Sequence, residues 1–136
     1  MYYKICLALV PLLLLISGCK KDKDCLAGSG GNHTLVLKPQ HHGDPIYNQP
    51  NYPDSAMIKF GAGEFPGDDA SRYDIVIAGQ PGTDQVTVSG LQCGNYYIFM
   101  TGFDTTISQR VKGGIPYQIT ENAGNSLTLV IPVTED

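Results

Sequence analysis

An all-β fold follows from the pattern of apolar residues and of chain breakers. From about residue 33 onward, apolar side chains recur with period two, in short runs enriched in β-branched and aromatic types. Gly, Pro, Asn and Asp punctuate those runs. No stretch beyond Cys19 keeps a helical period for three turns, and 16 Gly with 9 Pro in 136 residues would interrupt most helices. Short strands at near-regular spacing predict a seven-stranded sandwich in preference to a closed barrel.

The runs follow in order. His33-Thr34-Leu35-Val36-Leu37 alternates and is expected to stop at Pro39. Ala56, Ile58 and Phe60 share a face of the second run, which Gly61 ends. Tyr73 to Ile77 forms the third, closed by Gly79-Gln80-Pro81-Gly82, and Gln85 to Val88 the fourth, before Gly90. Asn95 to Phe103 is the longest uninterrupted run and is rich in aromatics, whereas Val111 to Ile119 is broken by Gly113-Gly114 and Pro116. Ser126 to Val133 is the last, with Leu127, Leu129 and Ile131 on one face. Two loops separate these strands widely. Pro39 to Ser55 carries His41, His42, Tyr47 and Tyr52 among several prolines; Gly61 to Arg72 carries Asp68 and Asp69. Loops of that length in a compact domain are usually functional or disordered.

The first 18 residues have the layout of a secretory signal peptide: Met1 to Lys4 is basic, Ile5 to Ile16 is uncharged and apolar, and small residues follow. About 12 apolar residues interrupted by Pro11 fall short of the roughly 20 that a membrane span needs. Ile16-Ser17-Gly18-Cys19 resembles the bacterial lipobox. That resemblance implies cleavage after Gly18 and a diacylglycerol on Cys19, with acylation of the new amino group adding the further chain that stable anchoring requires. The following Lys20-Lys21-Asp22-Lys23-Asp24 resembles the surface-export signal of Bacteroidetes lipoproteins, although Lys23 interrupts the acidic pair. Outer-membrane placement and exposure at the cell surface are what this resemblance implies. The expected organisation is residues 1–18 as signal peptide, 19–32 as lipidated Cys and flexible tether, and 33–136 as the β domain.

Cleavage would leave 118 of the 136 residues, with eight Lys and Arg against 13 Asp and Glu. That is one domain with one core. Its mildly acidic surface without a basic cluster excludes nucleic acid as an expected partner. Cys6 would leave with the signal peptide and Cys19 would be acylated, so Cys25 and Cys93 remain. In an oxidising compartment a disulfide between them is the first expectation, and two free thiols the alternative.

A second resemblance rests on two short segments. Gly43-Asp44-Pro45-Ile46 followed by Met57-Ile58-Lys59-Phe60 resembles the first β-turn-β element of carboxypeptidase regulatory-like (prealbumin-like) domains. Val88-Ser89-Gly90-Leu91-Gln92-Cys93-Gly94-Asn95-Tyr96-Tyr97 is similar to that family's Gly-Leu-x-x-Gly-x-Tyr signature, with Cys93 replacing the usual Pro or small residue. Asn48 to Ser55 looks like an insertion after the first turn. The resemblance spans about residues 35 to 133. It implies a prealbumin-like or Ig-like sandwich that acts as a spacer, a stabilising module or an adhesive module.

Catalysis is not expected. The chain carries Pro132-Val133-Thr134-Glu135-Asp136 where the related hydroxyisourate hydrolases carry Tyr-Arg-Gly-Ser, and no Gly-x-Ser-x-Gly nucleophile elbow is present. His41-His42 with Asp44 has metal-ligating chemistry, but a solvated loop is the simpler account; Asp68-Asp69 with Asp74 lacks the ligand spacing of a calcium loop. No metal and no cofactor is expected. The expected contact residues are His41, His42, Tyr47 and Tyr52 in the Pro-rich loop, engaging an envelope protein or an extracellular ligand. Tyrosine offers large contact area and a polar tip at low entropic cost. A glycan-binding accessory of a polysaccharide uptake system is the alternative.

Overall fold

The alternation beginning at His33 runs further than Pro39. In the computed structural model, which describes residues 25–136, strand β1 spans Ser29–His41. Every second residue from His33 to His41 is buried, Pro39 included. Proline is tolerated because it lies between the β5 ladder, which ends at Leu37, and the β2 ladder, which starts at Gln40, and its carbonyl still accepts from the Ile46 N–H at 3.0 Å. The strand therefore begins before the boundary at 33 and ends beyond the expected stop. Cys19 and the charged run after it lie outside the described residues.

Among the described residues eight strands form, one more than the alternation predicts. The addition is β2, Asp44–Pro45, which folds back on β1 through His42 and Gly43. Both turn residues have positive φ, 52° and 92°, the signature of a tight two-residue hairpin. The others are β3 (Ser55–Phe60), β4 (Ile75–Ala78), β5 (Val86–Leu91), β6 (Gly94–Asp104), β7 (Gln109–Ile119) and β8 (Ser126–Glu135). A 3-10 turn, Ala70–Arg72, is capped by the Asp69 carboxylate, which accepts from the Ser71 N–H at 2.9 Å.

The sheet is mixed and curls on itself. Its order is β2-β1-β8-β7-β6-β3-β4, with β5 also on β1. All pairs are antiparallel except β1 with β8, which run parallel from Thr34↔Ser126 to His41↔Val133. β7 and β8 share only Val111↔Glu135 and Lys112↔Thr134, so the sheet bends sharply there. Gly113 serves that bend: a Cβ on it would collide with the Pro132 carbonyl. Pro116 lies past this ladder's end, so β7 runs unbroken where a break was expected.

Curling brings both halves of the sheet onto one core. Leu35 and Leu37 of β1, Val86 and Val88 of β5, and Ile131 of β8 meet Ile58 of β3 and Tyr96, Ile98 and Met100 of β6. Leu91 and Tyr96 are fully buried, as the turn signature implies, and Gly90 and Gly94 flank the reversal with positive φ. The Tyr96 hydroxyl donates to the Gln92 carbonyl at 2.7 Å and accepts from the Gly28 N–H at 3.0 Å. Cys25 and Cys93 are disulfide-bonded, with Cα atoms 5.0 Å apart, tying the segment before β1 to the start of β6.

The Gly61–Arg72 loop is packed down rather than free. Phe65 lies over Tyr97 and Phe99 on the outer face of β6, with ring centroids 5.8 and 5.0 Å away. The Tyr73 hydroxyl donates to the Gly67 carbonyl at 2.8 Å, closing the loop's end.

Candidate functional site

β6 sets the long axis. It starts at Gly94 beside the disulfide and ends at Asp104, and 11 extended residues reach roughly 33 Å. β1 and β8 run in the same direction, so His41 and Glu135 arrive at the pole that Asp104 occupies. The other loops gathered there are Ile46–Asp54 and the β6–β7 turn.

An aromatic ridge crosses this pole. Tyr52 stacks on Phe103 with centroids 4.9 Å apart, and the Arg110 guanidinium carbon lies 5.5 Å from the Tyr52 centroid. Tyr47 and Phe103 both line a groove of about 250 Å³ with Asp44, Asp104 and Thr106. On the far side of Tyr52 a groove of about 370 Å³ is bounded by Asn51, Arg110, Lys112 and Asp136. Tyr47 is 51% exposed and Tyr52 44%. Lys112 is held by Asp68, at 2.9 Å, and by Asp136, so one cation there is neutralised while Arg110 is exposed. Asp68 is the point at which the Gly61–Arg72 loop reaches this groove's rim.

Asn48, buried at the heart of the loop, explains why the ridge has a fixed shape. Its side-chain amide donates to the Thr83 and Gln85 carbonyls at 3.1 and 3.3 Å, and its carbonyl accepts from the Asp54 N–H at 2.7 Å. Gly79 makes room for it, since a Cβ there would overlap the amide. The insertion is thus stapled to the β4–β5 connection. Asp54 follows, fully buried, with neither carboxylate oxygen hydrogen-bonded. Burial pushes its carboxyl up from 3.8 to about 7.

The two histidines do not share one environment. His41 is not on a solvated loop: as the last residue of β1 it is 4% exposed, while His42, one residue into the turn, is 77% exposed at its side chain. His41 Nδ1 donates to Asp104 Oδ2 at 2.8 Å; a carboxylate can only accept, so that nitrogen carries the proton. The other Asp104 oxygen accepts from the Thr106 N–H at 2.8 Å and hydroxyl at 2.6 Å. These hydrogen bonds, the Thr106 hydroxyl foremost, hold Asp104 down at about 2. His41 in turn is raised, chiefly by the Asp104 bond and with help from Glu135. Glu135 is lowered, first by a backbone hydrogen bond and then by His41. Asp44, expected beside the histidines, is exposed and contributes its backbone to the hairpin; the carboxylates that reach His41 come from β6 and β8. Asp68, Asp69 and Asp74, whose spacing does not suit a calcium loop, are dispersed: Asp68 pairs with Lys112, Asp69 caps its turn, and Asp74 accepts from Lys59 at 3.3 Å and the Phe60 N–H at 2.7 Å.

The structure thus gathers all four expected contact residues near one pole. It adds Phe103, Arg110, Asp104 and Glu135, which sequence reading did not select. Phe103 lies within a strand that the alternation predicts, but nothing in the sequence distinguishes Asp104 or Glu135 from the other acidic residues. Comparison with known proteins finds no matching family model, no matching curated protein and no matching solved structure.

Proposed function

We propose that this chain is a non-enzymatic outer-membrane lipoprotein, anchored through Cys19, whose β domain holds out a binding pole to an envelope protein partner or an extracellular ligand. The observation that carries the reading is the Tyr47–Phe103–Tyr52 ridge, placed at the end of β6 opposite the Cys25–Cys93 bridge. A lipid on Cys19 would lie only six positions before Cys25, so the bridge marks the membrane-proximal pole and the ridge the distal one. Rigid aromatic anchors beside an exposed Arg are the residue types that dominate interface energetics. The domain is read as a sandwich of the carboxypeptidase regulatory-like kind. Supporting this, Tyr96 bonds back to a backbone carbonyl four residues upstream, which is the tyrosine-corner device of Greek-key sandwiches.

The test is crosslinking on native cells, detergent extraction, capture of the protein and mass spectrometry. One near-stoichiometric envelope partner, lost in a folded Tyr47→Ala, Tyr52→Ala double variant, is expected. If the folded double variant retains every partner, the ridge is not the contact. Fatty-acid labelling should vanish in Cys19→Ser, and retained label would remove the anchor from the reading. The glycan alternative draws on Tyr47, whose exposed ring borders a groove carrying Asp44, Asp104 and Thr106 as hydrogen-bonding groups. A glycan array positive for wild type and blank for the double variant would select it.

A further inference from the structure

We infer that His41, His42 and Glu135 form a binding site for a zinc-class divalent ion, with Asp104 as the group that orients His41. One ligand atom from each of the three residues lies within 4.8 Å of the others. The independent observation is His41 Nε2: it belongs to a side chain 96% buried, has no hydrogen-bond partner, and lies 3.3 Å from Glu135 Oε2 without the alignment of a hydrogen bond. An orphaned buried nitrogen is costly unless something else satisfies it.

The chemistry of the donors fits a borderline metal ion. Because Asp104 fixes the proton on Nδ1, the neutral ring leaves the Nε2 lone pair unshared and available to a metal ion. A carboxylate on the far nitrogen of a ligating histidine is the usual outer-shell arrangement, which fixes the tautomer and raises ligand basicity. Bonds of roughly 2.0–2.1 Å from a tetrahedral ion to N and O place adjacent ligand atoms about 3.3 Å apart. The Nε2–Oε2 separation already has that value. His42 Nε2 is 4.0 Å from Glu135 Oε1, and its exposed side chain is free to close the remaining distance. Adjacent residues in a strand would point to opposite faces. Here the positive φ of His42 swings its ring back to 4.2 Å from that of His41.

Two imidazoles and one carboxylate leave the fourth position of a tetrahedron open at the distal pole, next to the groove lined by Asp104 and Tyr47. The site therefore has room for water or for one donor atom from a bound molecule. It does not depend on the partner reading above, and either can fail without the other.

The test uses the full chain in detergent, dialysed against a chelator and titrated with zinc chloride by calorimetry. Cobalt(II) is added in parallel, because its absorption reports tetrahedral N/O ligation. One ion per chain is expected. Asp104→Asn should weaken affinity about 10- to 100-fold, and Glu135→Gln and His42→Asn at least as much. Asparagine tolerates the left-handed turn position, so His42→Asn should melt as wild type does in the absence of metal. Silence of the wild type toward zinc and cobalt overturns the site. So does one-to-one binding that His42→Asn and Glu135→Gln leave unchanged.

Discussion

Replacing Asp54 with asparagine should stabilise this protein at neutral and alkaline pH. Asp54 is fully buried and its carboxylate oxygens have no partner, so burial alone pushes its carboxyl to about 7 from an ordinary 3.8. At 1.36 kcal/mol for each tenfold change in proton affinity, that difference amounts to about 4 kcal/mol against the ionised form. The sign follows from where each state releases its proton. Below about pH 4 both folded and unfolded chains hold it, and Asp54 imposes no charge penalty. Between about 4 and 7 the unfolded chain has released the proton while the folded chain keeps it, so stability falls by about 1.4 kcal/mol per pH unit. Above about 7 both are ionised and the penalty is complete. Asparagine is nearly isosteric with the neutral acid and never ionises. Its own unpaired amide hydrogens offset roughly 1–2 kcal/mol of the gain, leaving about 2–3 kcal/mol. Urea melts of wild type and Asp54→Asn at about pH 8 and about pH 4.5 measure the difference. The variant should be more stable at the higher pH, with the advantage gone or reversed at the lower. A gap that is the same at both pH values would refute the reasoning, because it would show that Asp54 does not titrate between them.

Other substitutions probe the features that shape the domain. Cys93→Ser removes a bridge between residues 68 apart in sequence, and chain entropy sets the loss at about 4 kcal/mol in guanidinium unfolding; intact mass should show a gain of two hydrogens when the wild type is reduced. Asn48→Ala leaves the buried Asp54 N–H without its acceptor and removes the amide's bonds to the Thr83 and Gln85 carbonyls, and should cost about 3 kcal/mol while increasing protease cleavage between Tyr47 and Ser55. Gly79→Ala should reproduce most of that loss, since its methyl group would displace the Asn48 amide, whereas Gly43→Ala meets no neighbouring atom and is limited to the strain of a positive φ.

Local chemistry made much of the fold legible. Period-two burial shows in the apolar pattern, so the cores of seven strands were readable, and the breakers between them marked the turns. Two cysteines left over in a presumed oxidising setting were enough to expect their pairing, and the bridge is present. Readability failed where a residue's meaning depends on distant chain. Pro39 reads as a strand end because proline lacks an N–H. It is tolerated inside β1 because two different partners leave a gap on that edge, which no local window contains. Asp44–Pro45 is too short to show alternation and becomes β2 only against β1.

The pole was half visible for the same reason. Tyr47, Tyr52, His41 and His42 stand close together in sequence and could be grouped by type. Phe103, Asp104, Arg110 and Glu135 come from β6, β7 and β8, and reach the same place because β8 lies parallel to β1 while β6 ends beside them. A parallel pairing between the first and last strands has no local signature, since it depends on how the whole sheet curls. By itself the sequence determined the alternating strands and the glycine turns, because sterics and burial act within a few residues. Only the tertiary structure decided that His41 is buried between two carboxylates, that the Asp54 carboxylate has no partner, and that the tyrosines lie opposite the bridge. Burial and electrostatic environment are properties of residues that meet across the sheet, whatever their separation along the chain.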